Sequence, residues 1–264
     1  MLWSLTKAHH AGFDVDRTAL DELRAWSLEP MHFEKPINRE STTVLQTLAG
    51  NIDTINALFI GDQIADKKQS SVFSKALVEN QENDGSWKPC GQLPNQKRSK
   101  AETRQVTTLW TTLILAQQNI KPKNIQAIEQ IIENDSPEST EWLTARMLLA
   151  RERGESSVQN TLIQELIKRQ HHDGGWGWLS SEQSDALGTG MALYALKRSS
   201  YPESSYDPSA IRARAARATH YLTETQEPNG SWIVMGTKNK TRNRPTETAT
   251  FWGTAWAVIA LLQD

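Results

Sequence analysis

Apolar residues recur along this chain in two helical patterns that alternate. The amphipathic pattern is clearest in NTLIQELIKRQ, where Leu162, Ile163, Leu166 and Ile167 share one stripe. The other pattern is apolar on nearly every side and rich in small residues, as in TRQVTTLWTTLILA, DALGTGMALYAL and TATFWGTAWAVIALL. A helix apolar all round belongs inside a protein, and an amphipathic one covers it. The alternation predicts inner helices over 1–11, 41–60, 102–118, 140–153, 184–198 and 247–263. Outer helices are predicted over 16–28, 68–80, 122–134, 156–169 and 208–225. Local signals agree, with Asp16 and Asp207 placed as N-caps and Pro208 at a first helical position.

Between outer and inner helices one short turn recurs: QENDGSW from Gln81, QHHDGGW from Gln170 and QEPNGSW from Gln226. Gly falls four places after Gln, and Trp six places after, in all three. Such self-similarity marks a repeated supersecondary unit. The physical reading is a helix-to-helix clamp. Gln bonds exposed backbone at a helix end, the Asx-Gly pair turns the chain with positive φ, and Trp packs back as a plate whose N–H needs an acceptor. His171 and His172 are adjacent and point apart, which argues against shared metal ligation.

These segments resemble the QW repeats of squalene-hopene and oxidosqualene cyclases. FWGTAWAVIALL resembles the closing repeat of the terpene cyclase and protein prenyltransferase superfamily. The resemblance implies an all-α fold, an (α/α)6 toroid of alternating inner and outer helices in a single domain over 1–264. Six inner but five outer helices are counted, so the toroid is expected to lack its first outer helix. On that reading the chain is truncated at its N-terminus or completed by another chain. Leu2, Trp3 and Leu5 would then lie partly uncovered and drive self-association.

Composition narrows the classes. With a net charge of −2 the molecule is not a general nucleic-acid binder. No apolar run is long enough for a transmembrane segment. A single cysteine, Cys90, leaves no internal disulfide and no multi-cysteine metal site. No cofactor and no metal are called for.

Candidate chemistry gathers where outer helices lead into inner ones. Two connections are basic, one with Lys88, Lys97, Arg98 and Lys100, the other with Lys238, Lys240, Arg242 and Arg244. Basic loops beside helix N-termini attract anions. Lys97, Arg98, Lys100, Lys240, Arg242 and Arg244 are therefore candidates for converging on a diphosphate, as a basic loop does in protein prenyltransferases. Asp185, Glu102 and Glu247 open inner helices and are the candidate catalytic acids. The same acids also read as complements of the helix dipole. Trp110, Tyr194, Trp252 and Trp256 are candidates for stabilising cationic intermediates, or else core aromatics.

The resemblance implies a cavity that binds or cyclises an apolar isoprenoid. Diagnostic chemistry is nevertheless missing. There is no D-x-D-D acid motif, DVDR at Asp14 being the nearest, and no D-D-x-x-D motif. Cys90 is out of place for the prenyltransferase zinc, and PCGQL departs from the complement thioester motif around Cys90, Gly91 and Gln92. A non-catalytic ligand-binding or scaffold domain is the alternative. A polysaccharide lyase or hydrolase on the same toroid, using acidic and basic residues at an open cleft, is a third.

Overall fold

The computed structural model describes residues 1–36, 43–60, 67–90, 95–133, 136–199 and 208–263. Asp207, Gly91 and Gln92, invoked above, lie outside the described residues. Twelve α-helices occur among the described residues, with isolated bridges and no named strand. They divide into two compact units. The first holds Met1–Pro94 and Lys100–Asp135, the second Asn95–Ser99 and Ser136–Asp264.

In the first unit α1 (Leu2–His10) packs on α2 (Arg17–Ser27), and α6 (Lys100–Gln117) packs on α4 (Ile52–Phe59), α5 (Lys67–Glu79) and α7 (Ile125–Ile132). Asp16 caps α2 by accepting from the Ala19 N–H at 3.1 Å. The helix expected over 41–60 is broken. Its described part runs as α3 (Val44–Thr47), a 3-10 turn over Leu48–Asn51, and α4. Gly50 causes the break: its N–H donates to Lys35 O at 2.9 Å, and Lys35 backbone lies where a Cβ would stand. Leu2 and Trp3 are buried and Leu5 is half-buried, so the uncovered apolar strip expected there is not found.

The second unit is built on α10 (Ala186–Arg198). Around it stand α8 (Thr140–Glu152), α11 (Pro208–Glu224) and α12 (Glu247–Leu261), while α9 (Ser156–Lys168) lies on α8. The small residues of α10 have a direct use: a Cβ on Gly190 would come within 2.7 Å of the Trp256 backbone on α12. α12 is less buried than its apolar pattern predicts, exposing Phe251 and leaving Trp252 and Trp256 half-buried.

The three Gln-Gly-Trp turns, turns 1 to 3 in chain order, share one set of bonds. Each Gly has positive φ: +88° at Gly85, +94° at Gly174 and +82° at Gly230. Each Gln side-chain amide donates to that glycine's carbonyl, at 2.9, 2.7 and 3.0 Å. Each Trp indole N–H donates back into the outer helix ten residues earlier: Trp87 to Leu77 O, Trp176 to Leu166 O and Trp232 to Leu222 O, at 2.6–2.8 Å. Each Trp backbone N–H donates to a threonine hydroxyl of the following helix: Thr108, Thr189 and Thr254. Indole and backbone polar groups are thus satisfied while the rings are buried, so the turn staples an outer helix to the next inner one.

Candidate functional site

The connection from the second Gln-Gly-Trp turn to α10, residues 177–185, brings charged side chains together around the buried Trp178. Asp185 is the N-cap of α10. Its Oδ1 accepts the Gly188 N–H at 2.7 Å and its Oδ2 the Trp178 N–H at 2.9 Å. The donors favour the carboxylate, but burial outweighs them and raises the Asp185 pKa to about 6. Glu182 adds to the rise and Lys97 opposes it.

Lys97 and Arg98 arrive from 95–99. Lys97 Nζ donates to both Glu182 carboxylate oxygens, at 2.6 and 2.7 Å. Arg98 Nη1 donates to Glu141 Oε2 at 2.8 Å and to Ser139 Oγ at 3.3 Å. Both cations lie in cation–π range of Trp178, with ring-centroid distances of 5.6 Å for Lys97 and 5.1 Å for Arg98. The two cationic side chains are only 2% and 0% exposed. Such ion pairs must recover a large desolvation cost, so their geometry is tightly specified.

Segment 95–99 also meets the second basic loop. Gln96 and Lys238 form an antiparallel bridge, the Lys97 N–H donates to Thr237 O at 2.8 Å, and Asn239 Nδ2 donates to Gln96 O at 3.3 Å. The two loops therefore meet through backbone. Their side chains differ: Lys97 and Arg98 turn inward to carboxylates, whereas Lys100, Lys240, Arg242 and Arg244 are exposed.

The other candidates are distributed. Glu247 is exposed in the first turn of α12, whose cap is the hydroxyl of Thr246. Glu102 and Trp110 are buried on α6 in the first unit. Tyr194 meets Trp256 edge to face, with centroids 5.8 Å apart, at the α10–α12 contact. In the first unit Asp53 Oδ2 accepts from the Cys90 N–H at 2.8 Å, and Asp53 Oδ1 from Thr107 at 2.7 Å. Burial and Asp53 push the Cys90 thiol up, which keeps it protonated. Among the described residues no group of three or more His, Cys, Asp or Glu could hold a metal ion. His171 Nδ1 instead meets Ser184 Oγ at 3.0 Å. Glu182, Glu141, Ser139 and Trp178 were missed by sequence reasoning. The only signal was Glu182, three residues ahead of Asp185.

No family model matches the chain, and no curated protein matches it. Solved structures do. A possible member of the GH105 family from Salmonella enterica is 12% identical with a TM-score of 0.52, over 99% of this chain and 80% of that one. A possible GH105 member from Klebsiella pneumoniae is also 12% identical, with a TM-score of 0.55 and the same coverage. A polysaccharide lyase is 12% identical with a TM-score of 0.59, over 99% of this chain and 87% of that one. At this identity the likeness shows the fold, an all-helical α/α toroid.

The terpene cyclase and prenyltransferase reading is thereby corrected. These structural neighbours are named as possible GH105-family members and a polysaccharide lyase, not as terpene cyclases or prenyltransferases, and the isoprenoid function read from the repeats is not supported. The physical reason lies in the turns. The Gln amide, the glycine φ and the Trp N–H are spent on joining helices, so the motif reports architecture and leaves no group for a substrate. Among the described residues no helix is long and apolar enough to cross a membrane.

Proposed function

We propose that this chain is a carbohydrate-active protein, a glycoside hydrolase or polysaccharide lyase, with Asp185 as its proton-donating acid. The names of the structural neighbours support the substrate class. The observation that carries the reading on this chain is the Asp185 carboxyl at the start of α10, its pKa raised by burial to about 6. Hydrolysing a glycosidic bond uses a carboxyl that still holds its proton near the working pH and gives it to the leaving oxygen, while elimination at a uronate uses that proton donor together with a base that takes the C5 proton. A raised pKa supplies that proton. Glu182, three residues before Asp185 in the same loop, supplies a second carboxyl group, held in place by Lys97.

A screen of neutral and uronate-containing glycans tests this, read by new reducing ends and by ultraviolet absorbance. Reducing ends without absorbance identify hydrolysis. Reducing ends with the absorbance of an unsaturated uronate identify elimination. Asp185→Asn is expected to lower either activity by about 100-fold or more. Binding without cleavage would favour a ligand-binding domain, and neither binding nor cleavage would remove the carbohydrate reading.

A further inference from the structure

Gln96 is only 3% exposed, and among the described residues neither its side-chain oxygen nor its side-chain nitrogen has a hydrogen-bond partner. A buried amide left unbonded costs free energy that contact with water or a polar ligand would return. The next residue, Lys97, holds Glu182, so this amide belongs to the segment that reaches the proposed site. Gln96 pairs through its backbone with Lys238, in loop 236–245 of the same unit.

That loop is bonded to itself. At its neck Met235 and Pro245 form an antiparallel bridge, and the Gly236 N–H donates to Arg244 O at 2.9 Å. Within it the Thr241 N–H donates to Lys238 O at 3.0 Å and the Arg244 N–H to Thr241 O at 3.1 Å. Packing is close enough that a Cβ on Gly236 would stand 2.6 Å from Thr241 O. Among the described residues two hydrogen bonds tie the loop to 95–99: the Lys97 N–H to Thr237 O at 2.8 Å, and Asn239 Nδ2 to Gln96 O at 3.3 Å. An element with many bonds inside it and few across opens as a unit about its neck. We propose that loop 236–245 is a lid, and that its opening bares the Gln96 amide to bind two neighbouring hydroxyls of a sugar. The amide offers an acceptor and donors side by side, and adjacent ring hydroxyls offer both in return. An anion would fill only the nitrogen and a cation only the oxygen. The sugar contact rests on the carbohydrate reading of the Asp185 site, whereas the lid does not.

Amide hydrogen exchange by NMR on the whole chain, without glycan, tests the lid. Protection of the Lys97 N–H is expected to be lower than that of the Gly236 N–H by about tenfold or more, because opening breaks the first bond and spares the second. Gln96→Leu should raise protection at Lys97 by about tenfold or more and leave Gly236 unchanged, since an apolar side chain of similar size gains nothing from opening. Equal protection at the two amides, or no change at Lys97 in Gln96→Leu, would overturn the lid. The sugar contact is read by cleavage of the glycan found in the screen above. Gln96→Leu should raise KM by about tenfold or more with kcat within about threefold of wild type. Asn239→Ala, which loosens the lid and keeps the amide, should lower protection at Lys97 without raising KM. An unchanged KM in Gln96→Leu would overturn the contact. A screen in which no glycan is bound or cleaved would remove the carbohydrate reading and the contact with it, and the exchange measurements would still decide the lid.

Discussion

Turn 2 and turn 3 have the same skeleton and different surroundings. In both, glycine adopts positive φ, Gln closes onto its carbonyl, and the indole bonds the outer helix ten residues back. Among the described residues turn 2 alone of the pair has a helix lying on it, at Arg214 and Arg217. The motif therefore carries its own geometry, and the overlying helix adds packing without shaping the turn. The connections leaving the two turns also differ. The loop after turn 2 ends in a titratable cap, Asp185, and the loop after turn 3 in one that does not titrate, Thr246.

The comparison is broken most easily at the tryptophans. Trp176→Ala and Trp232→Ala should each cost about 3–5 kcal/mol by urea denaturation, because both rings are buried and both indoles bonded. A loss below about 1 kcal/mol at Trp232 alone would mean that the overlying helix, not the turn, fixes the ring.

Glycine separates the turns next. Alanine at Gly230 should cost about 1–2 kcal/mol for its left-handed φ. Alanine at Gly174 should cost a further 1–3 kcal/mol or so, because its Cβ meets the Arg217 backbone. Equal losses would contradict the assignment of one turn as open.

Glutamine gives a smaller contrast. Gln81→Ala strands the partners of a buried side chain, among them the Asn124 N–H, and should cost about 1–3 kcal/mol. Gln226→Ala, at an exposed position, should stay within about 0.5 kcal/mol of wild type.

The finest contrast is one of slope. The Asp185 carboxyl holds its proton more tightly folded than unfolded, so its contribution is complete below about pH 4. It is lost as pH rises through about 6. Stability measured from pH 4 to 6.5 should fall less steeply in Asp185→Asn than in wild type, whatever the absolute stability of the variant. Thr246→Asn should leave the slope unchanged.

How much of this was legible in the sequence follows from the range of each interaction. The turns are local: every bond from Gln to Gly and from Trp to its outer helix spans ten residues or fewer, and the spacing displays them. The Asp16 cap is local in the same way. The break at Gly50 depends on Lys35, fifteen residues away, and the helical pattern runs through it without a sign. The site cluster is still less local. Lys97 reaches Glu182 across 85 residues and Arg98 reaches Glu141 across 43, so both cations read as free basic residues in a loop when each is buried against an acid. Asp185 was legible as an acid at a helix start, but its raised pKa depends on burial that the spacing does not encode. The repeats led to the wrong activity for a related reason, since groups that build an architecture carry no information about the ligand it holds.

The central claim is that Asp185 donates a proton to a glycan. The most direct measurement is the pH profile of cleavage by wild-type and Asp185→Asn protein, on a substrate identified by reducing-end release. Cleavage is expected to fall as pH rises through about 6, the pKa to which burial raises this carboxyl, and the variant is expected to lose about 100-fold or more across the range. Cleavage by Asp185→Asn at the wild-type rate and with the wild-type profile would contradict the claim.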